Sequence, residues 1–154
     1  VKDDCEIEAE AKNCALELKA DSPLHIAGDA ELLRRAIENV VRNAIRYSPK
    51  DSTVEIRAET RGAQARIIVR DQGPGVPEEA LARIFDPFYR VESDRNRVTG
   101  GVGLGLSIAR RAITLHEGKL EARNANPGLL VTMDLPLTEV AKPSAAIQEL
   151  AETP

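Results

Sequence analysis

Asn39, Asn43, Arg46 and Tyr47 stand at i, i+4, i+7 and i+8 of a stretch with helical patterning, so they share one helix face. An amide carbonyl is a hard oxygen ligand that adds no negative charge. That suits a hydrated Mg²⁺ already sharing charge with phosphates, and Asn43 is the expected metal ligand. Arg46 can neutralise a phosphate oxygen, and Tyr47 can lay a ring near a base. Taken alone, the same residues also describe the wet face of an amphipathic helix. Asp71 ends an apolar stretch and precedes Gly73 and Gly75, where missing side chains let a flat ring approach the backbone. A carboxylate accepts the hydrogen bond that an adenine amino group offers, whereas guanine presents a carbonyl there. Asp71 is expected to read adenine; the plainer alternative is an Asp in a Pro-Gly turn.

A second glycine-rich segment, Gly101-Val102-Gly103-Leu104-Gly105, opens another helical pattern. Gly100 and Gly105 have the spacing of a Walker loop, but Leu106 stands where its lysine is required. A dinucleotide fingerprint needs a glycine at that same Leu106 and a strand leading into Gly101. What remains is chemistry without a lysine. Backbone N–H groups at Gly101, Gly103 and Gly105 can converge, and a helix beginning near Leu104 directs its partial positive charge at an anion. A glycine hinge before a helix is the alternative.

These residues need a scaffold. Asp29 is the expected N-cap of a helix whose Leu33, Ala36, Ile37, Val40, Val41, Ala44 and Ile45 keep helical spacing until Ser48-Pro49 stops it. Residues 3 to 12 favour a short helix by propensity. Alternation predicts strands at Cys14 to Leu18, Pro23 to Ala27, Val54 to Ala58, Ala65 to Val69, Leu120 to Arg123 and Leu129 to Leu135. Pro77 and two glutamates open a short helix through Ile84, and the helix after Gly105 carries Leu106, Ile108, Ala109, Ala112, Ile113 and Leu115 on to Gly118. Residues 90 to 102 hold Arg90, Arg95 and Arg97 among isolated valines, too little apolar surface to fix them on a core, and are expected to move. Six strands and two long helices predict an α/β two-layer sandwich, a mixed sheet covered on one face by helices. Residues 1–136 form the expected domain, and 137–154 a flexible tail.

Composition bounds the partners. The 154 residues carry 21 Lys and Arg against 25 Asp and Glu, and the net charge of −4 argues against nucleic acid as the main ligand. No apolar run approaches the roughly 20 residues that cross a bilayer, so no direct membrane contact is expected. Cys5 and Cys14 have no metal-ligand spacing and suggest a reducing compartment. Of only four aromatic residues, Phe85, Phe88 and Tyr89 lie within five positions, either as core filler or as a patch with a separate job.

In order along the chain, Glu38 to Pro49 resembles the N box of sensor histidine kinases, Asp71 to Gly75 the G1 box, Phe85 to Arg90 the F box, and Gly101 to Leu106 the G2 box. The N and F boxes are similar to those of envelope-stress sensors of the Cpx type. The resemblance covers about residues 1 to 136 and implies the Bergerat ATP-binding fold, Mg-ATP as ligand and a lid between the F and G2 boxes. It further implies transfer of the γ-phosphate to a histidine on a dimerisation domain, a downstream response regulator, and a cytoplasmic setting as the cytosolic portion of an inner-membrane sensor. Asn43 matches the magnesium asparagine, Asn39 the preceding N-box asparagine, Arg46 the basic residue that is commonly lysine, and Asp71 the adenine-reading aspartate. Arg97 lies where related kinases often place a phosphate-contacting arginine, with Arg90 and Arg95 as competitors. Hydrolysing members carry a general-base glutamate at the position of Asn39, and Glu38 is turned about 100° away on the helix. His116-Glu117 starts like an acceptor box but runs into Gly118, which fits a helix-terminal histidine better. The alternatives are an anti-sigma serine kinase or ATPase of the same superfamily, or a nucleotide-sensing module without phosphotransfer.

Overall fold

The computed structural model describes residues 1–20, 22–91 and 102–138. Strands β1 (Ala15–Ala20), β2 (Thr53–Arg61), β3 (Gln64–Arg70), β4 (Lys119–Asn124) and β5 (Leu129–Pro136) form one sheet in the order β1-β2-β3-β5-β4. β1 runs parallel to β2, and the other neighbours are antiparallel. Helices α1 (Lys2–Ala11), α2 (Ala30–Tyr47) and α3 (Gly105–Leu115) cover one face. This is the mixed, two-layer α/β sandwich that the sequence predicts.

The pleat explains which face is covered. Val54, Ile56, Ala65, Ile67, Val69, Val131, Met133 and Leu135 alternate inward along their strands and are buried, while Arg57, Arg66 and Glu121 alternate outward. The helices answer with Val40, Val41 and Ala44 from α2 and Ala109, Ala112 and Ile113 from α3. Each fully buried aliphatic side chain stabilises the fold by about 1.5–3 kcal/mol. On the open face Arg66 and Asp134 lie opposite each other across β3 and β5, and the guanidinium donates to both carboxylate oxygens at 2.6 and 2.7 Å.

Local signals set the ends of α2. The Asp29 carboxylate accepts the Leu32 N–H at 2.9 Å, and Ser48 leaves the helical region at ψ 140, as a residue before proline must. α1 docks on α2 through buried Cys5 and Ala9 and through the ion pairs Arg34–Asp4 and Arg42–Glu8 at 3.3 and 2.8 Å. Both cysteines are free and buried, and burial pushes the Cys5 thiol up.

Several expectations need correction. Pro23 to Ala27 is not a strand; among the described residues only Ile26 there makes a bridge, to Leu137. Pro77 to Ile84 is not a continuous helix but a 3-10 turn at Glu78–Ala80 followed by turns, because so short a segment cannot repay a helix nucleus and is held instead by burying Ala80, Ile84 and Phe85. On α3, Ile108 and Leu115 are exposed, since the sheet reaches only the Ala109, Ala112 and Ile113 face. Of the stretch 137–154, Leu137 and Thr138 donate backbone hydrogen bonds to Ala63 and His25 at 2.9 and 2.9 Å, and 139–154 lie outside the described residues. Of the segment 90 to 102, residues 92–101 lie outside them too.

His116 clamps the two long helices together. Its Nε2 accepts the Asp29 N–H at 2.9 Å while its Nδ1 lies 2.7 Å from the Ala112 carbonyl oxygen as the donor, so both ring nitrogens are engaged. That is a helix-end role, with no nitrogen left to act as a nucleophile. His116→Ala is expected to cost about 1 kcal/mol in a denaturant melt, by leaving the N–H of Asp29, the N-cap of α2, without this partner; an unchanged midpoint would refute the clamp.

Candidate functional site

A cavity of about 1150 Å³ opens between α2, the loop after β3 and the start of α3. Asn39, Asn43, Arg46 and Tyr47 line it from α2. Asp71, Pro74, Gly75 and Val76 form the next wall, and Gly103, Leu104 and Gly105 the opposite rim, with Tyr89 and Arg90 alongside. Residues spread over 67 positions of chain, from Asn39 to Gly105, thus face one space. Gly73 does not line it; it stands behind Asp71 and donates its N–H to that carboxylate. Arg95, Arg97 and Gly101 lie outside the described residues.

Asp71 has the most constrained side chain of the cavity. It is 3% exposed, and its Oδ1 accepts two backbone N–H groups, from Gly73 at 2.8 Å and from Leu129 at 3.0 Å. Both bonds end on Oδ1, so Oδ2 is the oxygen with capacity for a ligand's donor. Burial pushes the carboxyl above the ordinary 3.8 of an aspartate, and the Leu129 and Gly73 N–H groups oppose that rise without cancelling it. Gly73 is required here, because a Cβ on it would lie 2.6 Å from the Tyr47 carbonyl oxygen.

The opposite rim is backbone. α3 begins at Gly105 with no side chain capping its start, so its first N–H groups face the cavity and carry the positive end of the helix dipole. Gly103 has φ +79, and its carbonyl accepts the Phe88 N–H at 2.9 Å. A Cβ on Gly103 would sit 3.1 Å from Phe88 and Tyr89 backbone atoms, so the turn after Pro87 and the glycine segment fit only without a side chain. Gly105 comes close to Asn39, whose Oδ1 would be 3.3 Å from an added Cβ. The aromatic trio divides: Phe85 is buried in the core, Tyr89 lines the cavity under the Arg83 guanidinium at 4.4 Å, and Phe88 is 68% exposed.

Sequence reasoning missed Lys12, Glu8 and Leu129 on the walls. Lys12 donates from Nζ to the Ile45 carbonyl at 2.8 Å and also to Arg46, placing a cation at the C-terminal end of α2. Nothing local marks it, since its partners lie more than 30 residues away. Glu38 is absent from the walls: it is buried against Arg34 at 2.6 Å and Arg42 at 3.6 Å on the side that α1 covers. Glu8 reaches the cavity already paired with Arg42. Among the described residues no group of three or more His, Cys, Asp or Glu is placed to hold a metal ion. The donor set suits a cation that takes one amide oxygen from the protein and the rest from phosphates and water. No helix among the described residues is long and apolar enough to cross a membrane.

A buried carboxylate, an amide-bearing helix and an uncapped helix start around one nucleotide-sized cavity define an α/β nucleotide-binding fold. Residues 28–139 match the family of histidine kinase-, DNA gyrase B- and HSP90-like ATPases, and the chain belongs to that family. Among its relatives, the sensor protein PfeS of Pseudomonas aeruginosa is 44% identical over 124 residues, covering 80% of this chain and 25% of PfeS. The sensor-like histidine kinase SenX3 of Mycobacterium tuberculosis is 40% identical over 129 residues, covering 82% of this chain and 31% of SenX3. The chain thus spans only about a quarter to a third of the length of these curated relatives. Among solved structures, the mycobacterial sensor histidine kinase MprB superposes with TM-score 0.77 at 30% identity over 86% of this chain and 90% of that one. Full-length ShkA, solved in complex with AMPPNP, gives TM-score 0.77 at 28% identity over 92% and 29% of the two chains. Histidine kinase ThkA, solved with the response regulator protein TrrA, gives 0.72 at 26% over 90% and 38%.

If Asp71 reads adenine, as the sequence leads one to expect, Asp71→Asn should leave the fold intact, because the amide oxygen still accepts the Gly73 and Leu129 N–H groups, while the new NH₂ would face the base amino group donor to donor. ATP affinity is expected to fall by about one to two powers of ten, and unchanged calorimetric affinity would refute the assignment. The wild type should also lose affinity on acidification while an ordinary aspartate is still ionised, since the raised carboxyl takes up its proton early. The same protonation relieves the cost of burying the charge, so this group's contribution to folding stability rises as the pH falls. In Asp71→Asn both pH effects should vanish.

Proposed function

We propose that this chain binds Mg-ATP in the described cavity and donates the γ-phosphate to a histidine of a dimerisation domain, as the catalytic part of a two-component sensor kinase. The observation that carries the reading is the convergence of Asn43, Asp71 and Gly103 on one cavity. The homologous kinases, one of them solved with AMPPNP and another with a response regulator, support ATP as ligand and a response regulator as downstream partner. The setting we infer, the cytosolic portion of an inner-membrane sensor, is the one that the resemblance of the motifs implies.

In this reading Asp71 accepts the adenine amino group, and Gly75 and Val76 give the ring a flat wall. Tyr47 and Tyr89 flank the base end. Asn43 holds the magnesium ion through its amide oxygen, with Asn39 one turn before it. Held there, a magnesium ion would supply neutralisation of phosphate charge. Arg46 and Arg90, with Arg97 as a further candidate, bind phosphate oxygens. The N–H groups of Gly103, Leu104 and Gly105, with Gly101 before them, receive the phosphate tail at the start of α3. In the transfer the bond between the γ-phosphorus and its bridging oxygen breaks, a bond to the acceptor imidazole nitrogen forms, and ADP leaves.

Among the described residues, the placement of the carboxylates nearest α2 supports retention of the phosphoryl group for a protein acceptor. Glu38 is turned into its pairs with Arg34 and Arg42, Glu8 is paired with Arg42, and Asp71 is committed at the base end. None of them is offered as a general base beside Asn43, which favours a kinase over a hydrolase.

The test mixes this chain with a separately produced dimerisation domain and radiolabelled ATP. Acid-labile phosphohistidine should form on the acceptor in magnesium. Asn43→Ala should abolish the transfer while circular dichroism shows the fold kept. Transfer at the wild-type rate by that variant would contradict the metal role.

A further inference from the structure

The β4–β5 hairpin grips the loop after β3 from both sides of its turn, and the site described above assigns no role to Asn124, the last residue of β4. On one side Leu129 bonds Asp71 twice: its N–H donates to the side-chain Oδ1 at 3.0 Å, and its carbonyl accepts the Asp71 backbone N–H at 3.0 Å. On the other side Asn124 meets Val76 with its whole amide. Oδ1 accepts the Val76 N–H at 2.9 Å, and Nδ2 donates to the Val76 carbonyl at 2.7 Å and to Glu78 Oε1 at 3.0 Å. Gly75, at φ +72, makes this approach possible, since a Cβ there would lie 2.6 Å from Asn124 Oδ1.

Matching the N–H and C=O of one residue together takes a donor and an acceptor side by side on one planar group, which an amide side chain supplies and a carboxylate does not. Asn124 stays outside the cavity, whereas Gly75 and Val76 are part of its wall. The amide therefore acts on the cavity through the loop.

We propose that Asn124 is a positioning residue for the nucleotide base: by pairing with both the backbone N–H and the C=O of Val76 it fixes the Gly75–Val76 wall relative to Asp71, so that a ring lying on the wall meets the carboxylate in register. This rests on the reading that the cavity takes ATP. Its effect belongs to the base end, so adenosine, ADP and ATP should weaken by one common factor. A merely structural Asn124 would alter the melting temperature and leave the affinity of the folded protein where it was.

The test is calorimetric titration of the whole chain with adenosine and with ADP, at a temperature where circular dichroism shows each variant folded. Asn124→Ala is expected to weaken both ligands equally, by about tenfold. Asn124→Asp, which keeps the acceptor for the Val76 N–H but sets oxygen against the Val76 carbonyl and Glu78, should fail to restore binding. Wild-type affinity in Asn124→Ala, or a loss confined to ADP with adenosine unaffected, overturns the proposal while the ATP reading stands. A wild-type chain that binds neither ligand removes the ATP reading itself, and the proposal with it. Should Asn124→Ala not fold, Asn124→Asp is judged by the same criteria.

Discussion

The site depends on keeping one carboxylate out of water and holding it by backbone N–H groups. Asp71 is buried, and the backbone N–H groups of Gly73 and Leu129 hold a single oxygen of it. Such a group is costly unless its acceptors are used, and the arrangement leaves the second oxygen with directional capacity at the cavity. Leu129 is 58 residues away in sequence, and only the pairing of β3 with β5 brings it there. Gly128 makes the contact possible, since a Cβ on it would lie 1.8 Å from the Asp71 carbonyl oxygen. The sheet order, the glycine after the turn and the carboxylate form one construction.

Around that fixed point the helices supply what the sheet cannot. α2 carries amide, guanidinium and phenol groups at helical spacing, so one rigid element presents them in register along the cavity. α3 contributes its uncapped start, and His116 at its far end ties it to the cap of α2. The two long helices of the cavity, α2 and α3, are thus joined by a hydrogen bond outside it. Lys12 extends the same frame by bonding carbonyls at the C-terminal end of α2.

What could be read from the chain alone follows the range of the interaction that decides it. α2 was legible to the residue because its cap, its apolar spacing and its proline stop are all local, and the face shared by Asn39, Asn43, Arg46 and Tyr47 comes with the helix. The convergence of the N-box face, Asp71 and the glycine rim was an expectation of the motif order, and the fold brings them together. Lys12, Leu129 and Asn124 were illegible because each acts on a partner more than 30 positions away, across helix docking or strand pairing that no periodicity records. Spacing could not tell buried Phe85 from exposed Phe88, since φ +63 at Phe88 turns that side chain away from the core. Gly73 was expected on the wall with Gly75, but the Asp71 carboxylate draws its N–H inward and leaves it behind the surface.

The most direct measurement compares ADP with inosine diphosphate in a calorimetric titration of the wild-type chain. The two ligands share phosphates, ribose and ring shape and differ on the edge of the base that the proposal sets against Asp71, where adenine carries an amino donor and hypoxanthine a carbonyl acceptor beside a protonated ring nitrogen. A carboxylate that reads the base should bind the inosine nucleotide at least about tenfold more weakly. Equal affinities would mean that Asp71 does not touch the base, and the assignment of the cavity would have to be abandoned.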